Sequence, residues 1–452
     1  MPTWAVKSTA RDGAINPEAQ GLIELEMVPR QCQLGGYQKR KIPSVSVQSD
    51  IIAYASPDST YAVTKQLFDN AKKSILIGIY DFTAAYIKQL VLDALARGVK
   101  VALMLDIDGA DEKKLFADLA DIGVDAVSAP SCANPNIHLF ASSHEKVIVI
   151  DDEWTLVQSG NYSANSVPLN EQDGVAGPHF RTGNRDTGLA VRSKPLAKLF
   201  TDILRADMAA ATDAAGGLAP EAAPPPEAIL LEAAPTKRPA KLFASKRFNL
   251  SGPLRLQPVT SPDNYMTVMP PLLEAATTSI DIEQQYIKAK QPEVRELLGA
   301  IATAREANPR LKVRIVLGRV FSRGDLDAEH KNLEMLADDF GLRLGTHIRY
   351  INTDRYVHCH NKMVIVDRAA VLISSQNWSD FAVTKNREAG LWVPDADIAE
   401  YFTPIFETDW STAFKSPDQT FTGTNVTPEA IAPEALRGGG FVKVEPGDYR
   451  EV

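Results

Sequence analysis

The chain has 452 residues, 44% of them hydrophobic, which is enough to bury two sizeable cores. Its formal net charge of −9 excludes a protein drawn to nucleic-acid phosphates by overall charge, leaving only local basic patches for that purpose. No apolar run is long enough to span a membrane, and the first twenty residues lack an apolar leader core, so a cytoplasmic chain without an integral membrane segment is expected.

In chain order, residues 1–49 read as a turn-rich N-terminal extension, with Lys39, Arg40 and Lys41 in a solvated loop. Residues 50–208 read as a first α/β half. It holds Ser56-Pro57-Asp58, a helical stretch with Val63 and Leu67, strands over 75–82 and 99–106 separated by a helix, and a closing helix from 195. Residues 209–254 are a linker rich in Ala and Pro that cannot build its own core. Residues 255–415 repeat the first half: Ser261-Pro262-Asp263, then Val268 and Leu272, strands over 280–287 and 311–318, and a closing helix from 398. Residues 416–452 form a tail with Gly438, Gly439 and Gly440 at a flexible point. Alternating strands and helices in each half predict a mixed sheet with crossover helices.

Cys32, Cys132 and Cys359 are too few, and odd in number, for a disulfide framework. Strand alternation puts His358 and His360 on one face and Cys359 on the other, so the three do not converge and no metal site is expected. His138, His179, His330 and His347 read as surface or structural residues.

The chemistry-bearing signal is a duplicated motif. HEKVIVIDDEWTLVQSGN at 144–161 has a near-twin, HNKMVIVDRAAVLISSQN, at 360–377. Both carry His, Lys, Asp, Ser and Asn in register: His144, Lys146, Asp151, Ser159 and Asn161, then His360, Lys362, Asp367, Ser375 and Asn377. A strand over 144–150 points His144 and Lys146 the same way. A turn at Asp151-Asp152 and a second strand over about 155–161 bring Ser159 and Asn161 beside them, as a hairpin. Two Lys and two Asn make a cradle for an anionic centre, most naturally a phosphate. One neutral His can attack phosphorus while the other, protonated, donates to the leaving oxygen, with no cofactor. Downstream, Asn184-Arg185-Asp186 matches Asn386-Arg387-Glu388. A carboxylate there can fix a histidine tautomer. Arg185 and Arg387 read as loop-structuring, and Asp151 and Asp367 as turn residues that hold the fold.

These residues resemble the phospholipase D superfamily, whose signature is HxKxxxxD followed by GSxN. The match spans roughly residues 50–205 and 255–412, and departs at the Gly of GSxN, here Gln158 and Ser374. The resemblance implies two pseudo-twofold-related halves, each a mixed sheet flanked by helices, with the site in the cleft between them. It also implies a covalent phosphohistidine, with His144 as nucleophile, His360 as general acid, and Asp186 and Glu388 orienting His144 and His360 respectively. Lys146, Lys362, Asn161 and Asn377 complete the implied catalytic set, and one chain holding both half-sites implies a monomer.

A metal-independent phosphodiesterase acting on phospholipid head groups, by hydrolysis or transfer, is the leading expectation. Its rival is a nuclease with a basic groove built from Arg181, Arg185, Arg355, Lys385 and Arg387. Loops at 162–183 and 320–345 are expected at the cleft mouth. A non-catalytic phosphate-binding scaffold is disfavoured because both His and both Lys are intact.

Overall fold

Aliphatic and β-branched runs become strands buried on both faces, and the stretches between them become helices that cover the outer faces. The computed structural model describes residues 4–5, 32–169, 183–214, 243–321, 323–422 and 450–451. The N-terminal segment supplies β1 (Trp4–Ala5) and β2 (Val45–Val47). The first half follows as β3 (Asp50–Ser56), α1 (Thr60–Asn70), β4 (Ser74–Ile79), α2 (Ala85–Ala96), β5 (Lys100–Leu105), α3 (Ala110–Asp121), β6 (Asp125–Ser128), β7 (Lys146–Ile150), β8 (Trp154–Gln158), β9 (Asp186–Arg192) and α4 (Lys194–Ala214). After β10 (Lys246–Asn249), the second half runs β11 (Leu254–Ser261), α5 (Tyr265–Glu274), β12 (Ser279–Gln284), α6 (Pro292–Ala307), β13 (Lys312–Leu317), α7 (Arg323–Phe340) and β14 (Ile348–Tyr350). It continues with β15 (Met363–Val366), β16 (Ala370–Ser374), α8 (Asp380–Thr384), β17 (Glu388–Val393), α9 (Ala396–Thr412) and α10 (Pro417–Thr422), and β18 (Arg450–Glu451) pairs with β1.

The two eight-stranded sheets repeat one plan. The first is ordered β10-β3-β9-β8-β7-β4-β5-β6, the second β2-β11-β17-β16-β15-β12-β13-β14. In each, the strand–helix–strand units pair in parallel (β4 with β5, β12 with β13) and the motif hairpins pair antiparallel (β7 with β8, β15 with β16). The edge strands depart from the segment boundaries read from sequence. β2, on the stretch taken as an extension, joins β11 of the second half, and β10, on the stretch taken as a linker, joins β3 of the first. Each covers backbone groups that an open edge would expose. Most of the linker, and the tail with Gly438–Gly440, lie outside the described residues.

One buried cluster joins the halves. Ala53, Val157 and Leu189 of the first sheet pack with Val371, Ile373 and Leu391 of the second, together with Phe200 of α4 and Phe402 and Phe406 of α9. Two further clusters lie one in each half, under α1–α2 and under α5–α6. Val63 and Leu67 are buried in the first, while Val268 and Leu272 pack against the second.

Three expectations are corrected. Cys32 and Cys132 form a disulfide, with Cα atoms 5.7 Å apart, tying the N-terminal segment to the stretch after β6. An odd cysteine count rules out full pairing but not one bridge, and Cys359 is the one left free and buried. The 320–345 stretch is mostly the helix α7 rather than a loop. Finally, the hairpin strands are shorter than expected, so His144, Ser159 and Asn161 lie just beyond the ends of β7 and β8.

Candidate active site

The turn aspartates fix the hairpins first. Asp151 and Asp152, like Asp367 and Arg368, sit at positive φ near 55°, the tight reversal between the paired strands. Asp151 accepts the backbone N–H groups of Lys72, Lys73 and Ser74 at 2.6–2.9 Å. Asp367 accepts those of Thr277, Thr278 and Ser279, at 2.6–3.0 Å, and both Thr hydroxyls. Partial burial is the largest single influence and raises the Asp367 carboxyl, but these donors together outweigh it and hold it down at about 2. Both residues therefore anchor the hairpin to the segment leading into the strand beside it.

The stretch before each hairpin strand is extended and pairs with the opposite half. Cys359 forms a parallel bridge with Arg185, and Ser143 with Arg387. His360 N donates to Arg185 O at 3.0 Å, and His144 N to Arg387 O at 2.8 Å. The residue after each arginine is thereby carried to the histidine of the other half. His144 Nδ1 lies 2.9 Å and 3.0 Å from the Glu388 carboxylate oxygens, and His360 Nδ1 lies 3.0 Å from Asp186 Oδ1. The pairing expected from sequence is thus crossed: Glu388 serves His144 and Asp186 serves His360. A strand-order argument within one half has no access to the inter-half bridges that set this.

Both imidazoles are almost fully buried, with ring centroids 6.4 Å apart. An Nδ1–H donated to the carboxylate leaves each Nε2 as the reactive nitrogen. Lys146 and Lys362 are completely buried, their Nζ groups donating to the carbonyl oxygens of His144 and His360 at 2.6 and 2.7 Å. Asn161 and Asn377 are also buried, and the amide oxygen of each has no hydrogen-bond partner among the described residues. Ser159 and Ser375 donate to Asp186 and Glu388, so they hold the carboxylates that hold the histidines.

The two carboxylates differ in support. Glu388 also accepts from Asn386 Nδ2 at 3.1 Å, whereas the matching Asn184 donates to Ser166 Oγ instead. Asp186 Oδ2 has no partner among the described residues. Tyr80, which the sequence reading passed over, packs its ring 5.0 Å from that of His144 and 5.4 Å from Lys146 Nζ, and donates to Asp108.

The motif's departure from GSxN is accommodated across the sheet. Gln158 pairs with Gly188 and Ser374 with Gly390. A Cβ on Gly188 would overlap the Tyr54 ring, whose hydroxyl donates to Gln158 Oε1 at 2.9 Å. A Cβ on Gly390 would press on that of Ser374 at 2.6 Å. The glycine required for close packing stands on the neighbouring strand, so the larger residue fits.

Arg185 and Arg387 do not face the cleft. Arg185 pairs with Asp58 of its own half and with Asp409 and Tyr356 of the other. Arg387 pairs with Asp263 of its own half, Asp207 of the other, and Tyr37 of the N-terminal segment. Both guanidiniums are fully buried, and this explains the duplicated Ser-Pro-Asp signal: its Asp is the arginine's partner. Arg181 and His179 lie outside the described residues. His138 Nε2 lies 2.8 Å from Asn134 O, and His330 pairs with Asp418, away from the site.

Known proteins share the family and the fold. Residues 64–208 and 270–410 match the model of the family described as cardiolipin synthase, PLD-like domain. A human mitochondrial cardiolipin hydrolase is 30% identical over 98 residues, 22% of this chain and 38% of that protein. A phospholipase D of Rickettsia conorii is 32% identical over 110 residues, 23% of this chain and 49% of its own. The alignments thus span about half or less of these two relatives. Phosphatidylserine synthase of Haemophilus influenzae Rd KW20 has the same fold, with a TM-score of 0.55 at 14% identity over 88% of this chain and 94% of its own. Among the described residues, no helix is long and apolar enough to cross a membrane.

Proposed function

The chain belongs to the cardiolipin synthase, PLD-like domain family, and we propose that it breaks or exchanges a phosphodiester bond of a phospholipid head group at the one site its two halves build. The observation that carries this is the crossed pair of buried His–carboxylate contacts, with the two rings 6.4 Å apart and a buried lysine and asparagine beside each. Relatives named as a cardiolipin hydrolase and a phospholipase D support the lipid class.

In the proposed mechanism, His144 Nε2 attacks phosphorus, the bond to the leaving oxygen breaks, and that oxygen takes the proton from His360 Nε2. Water, or an alcohol in a transfer reaction, then gives its proton to His360 while its oxygen displaces the phosphoryl group from His144. The hydrogen bonding supports this division of roles. Among the described residues Asp186 has fewer side-chain donors than Glu388, so more of its negative charge is left to stabilise a protonated partner, which is His360. Lys146, Lys362, Asn161 and Asn377 supply charge and donors for the phosphoryl oxygens without a metal.

Burial of Arg185 and Arg387 in inter-half ion pairs removes two of the five basic residues a nuclease groove would use. The Cys32–Cys132 disulfide fits an oxidising compartment better than the cytoplasm. The test is a turnover assay in EDTA on phosphatidylcholine and cardiolipin vesicles and on single- and double-stranded DNA, for the native chain and His144→Ala. Lipid cleavage dependent on His144 is expected. DNA cleavage without lipid turnover would overturn the lipid assignment, and loss on chelation would overturn the metal-free one. A quench in alkali during turnover is expected to trap a phosphoryl group on His144.

A further inference from the structure

The two halves are alike in backbone and unlike in what they place beside their histidines. Following β5, the first half has Asp106 and Ile107, whereas following β13 the second has Gly318 and Arg319. Two residues before the motif histidine, the first half has Ser142 and the second His358. In the first half these positions close on one another: Asp106 accepts from Ser131 Oγ, Ser142 Oγ and the N–H of Ser143 at 2.7–3.1 Å. In the second, a Cβ at Gly318 would overlap the His358 ring, so the imidazole fills the space that the Asp106 carboxylate fills opposite.

What results is a single guanidinium set beside an aromatic ring and an imidazole, on the loop next to the segment of the reacting histidine. His358 Nδ1 accepts the backbone N–H of Arg319 at 3.0 Å. The Arg319 guanidinium lies 5.1 Å from the centroid of Phe321, and Phe321 lies 5.1 Å from His358. Arg319 Nε is buried without a hydrogen-bond partner among the described residues, and so is Oε1 of Gln285. The carbonyl of Gln285 accepts the N–H of Gly318. The loop is also fixed from outside, since Val320 N donates to Thr420 Oγ1 of α10 at 2.9 Å. A guanidinium stacked on an aromatic ring, on a loop pinned at both sides, is a preorganised anion receptor with an unused donor.

We propose that Arg319, positioned by His358 and Phe321, binds a second anionic group of the substrate, one that does not react, and so selects phosphodiesters carrying a further phosphate or carboxylate. This rests on the reading of the cleft as a phosphodiesterase site. His358 lies two residues before His360, and its bond from Arg319 N sets the loop that carries Arg319 beside the segment that carries the reacting histidine. Burial lowers the pKa of Arg319 from its ordinary value, in line with a group that gains from an anionic ligand.

The test is calorimetric titration of the full chain with glycerol 3-phosphate, glycerol 1,3-bisphosphate and O-phosphoserine. The native chain should bind the bisphosphate roughly tenfold more tightly than the monophosphate. Arg319→Gln should reduce that advantage to less than about threefold, and Arg319→Lys, which keeps charge but loses the planar fork, should retain part of it. An equal gain for phosphoserine means the subsite reads charge; a gain for the bisphosphate alone means it reads phosphate. No advantage in the native chain, or an advantage that Arg319→Gln leaves intact, overturns the proposal. Failure of the phosphodiesterase reading shows separately, as turnover of bis(p-nitrophenyl) phosphate that survives loss of His144 and His360.

Discussion

Among the described residues the Glu388 carboxylate receives His144, Ser375 and Asn386, while Asp186 receives His360 and Ser159 as side-chain donors. Each acid sits in the half opposite the histidine it serves. In a sample with 15N-labelled histidine, Glu388→Gln should therefore remove the downfield Nδ1 proton resonance of His144 and leave that of His360, and Asp186→Asn should do the reverse. Loss of the resonance from the histidine of the same half would contradict the crossed arrangement. The residue types were legible in the sequence because two copies agree in His, Lys, Ser and Asn. The partnership was not, because it depends on the parallel bridges Arg185–Cys359 and Ser143–Arg387, which pair segments far apart in the chain.

At the scale of elements, each hairpin is locked by one aspartate. The folded pKa of Asp367, about 2, lies below its ordinary value of 3.8, so folding favours the deprotonated form. Its stabilisation is fully present above about pH 4 and is lost as the pH falls through about 2. Asp367→Asn should cost roughly 1–2 kcal/mol at neutral pH, read from urea unfolding, and the difference from the native chain should shrink toward pH 2. An unchanged midpoint at neutral pH would contradict the anchoring role. The turn position of Asp367 was evident from its place after an apolar strand, and the repeated strand–helix–strand order was equally visible in its periodicity. The edge strands β2 and β10 were not, because Val45–Val47 alternates buried and exposed over only three residues, too short to read, and Lys246–Asn249 is largely polar and exposed.

At the scale of the whole molecule, the halves are stitched by two buried arginine clusters that also enclose acids whose pKa is raised by burial. Burial, set against a smaller opposing pull from hydrogen bonds and arginine, pushes Glu145 up to about 8. Glu283, beside Asp409 and Arg185, is likewise pushed up to about 8. Their folded pKa values exceed the ordinary 4.5, so the folded chain holds extra protons between about pH 4.5 and 8, and stability from these groups falls as pH rises through that window. Glu283→Gln and Glu145→Gln should each flatten the alkaline loss of stability in thermal unfolding between pH 6 and pH 9. A steeper loss would contradict protonated acids. Removing Arg185 alone (Arg185→Met) leaves Asp58 and Asp409 buried without their cation and should cost about 3–5 kcal/mol in urea unfolding. The central claim, one active site made by both halves, is tested most directly by turnover of bis(p-nitrophenyl) phosphate in EDTA by His144→Ala and His360→Ala. A shared site predicts that either substitution alone lowers kcat by at least about a thousandfold. Two independent sites would leave each variant with about half of the native rate, and that result would contradict the account.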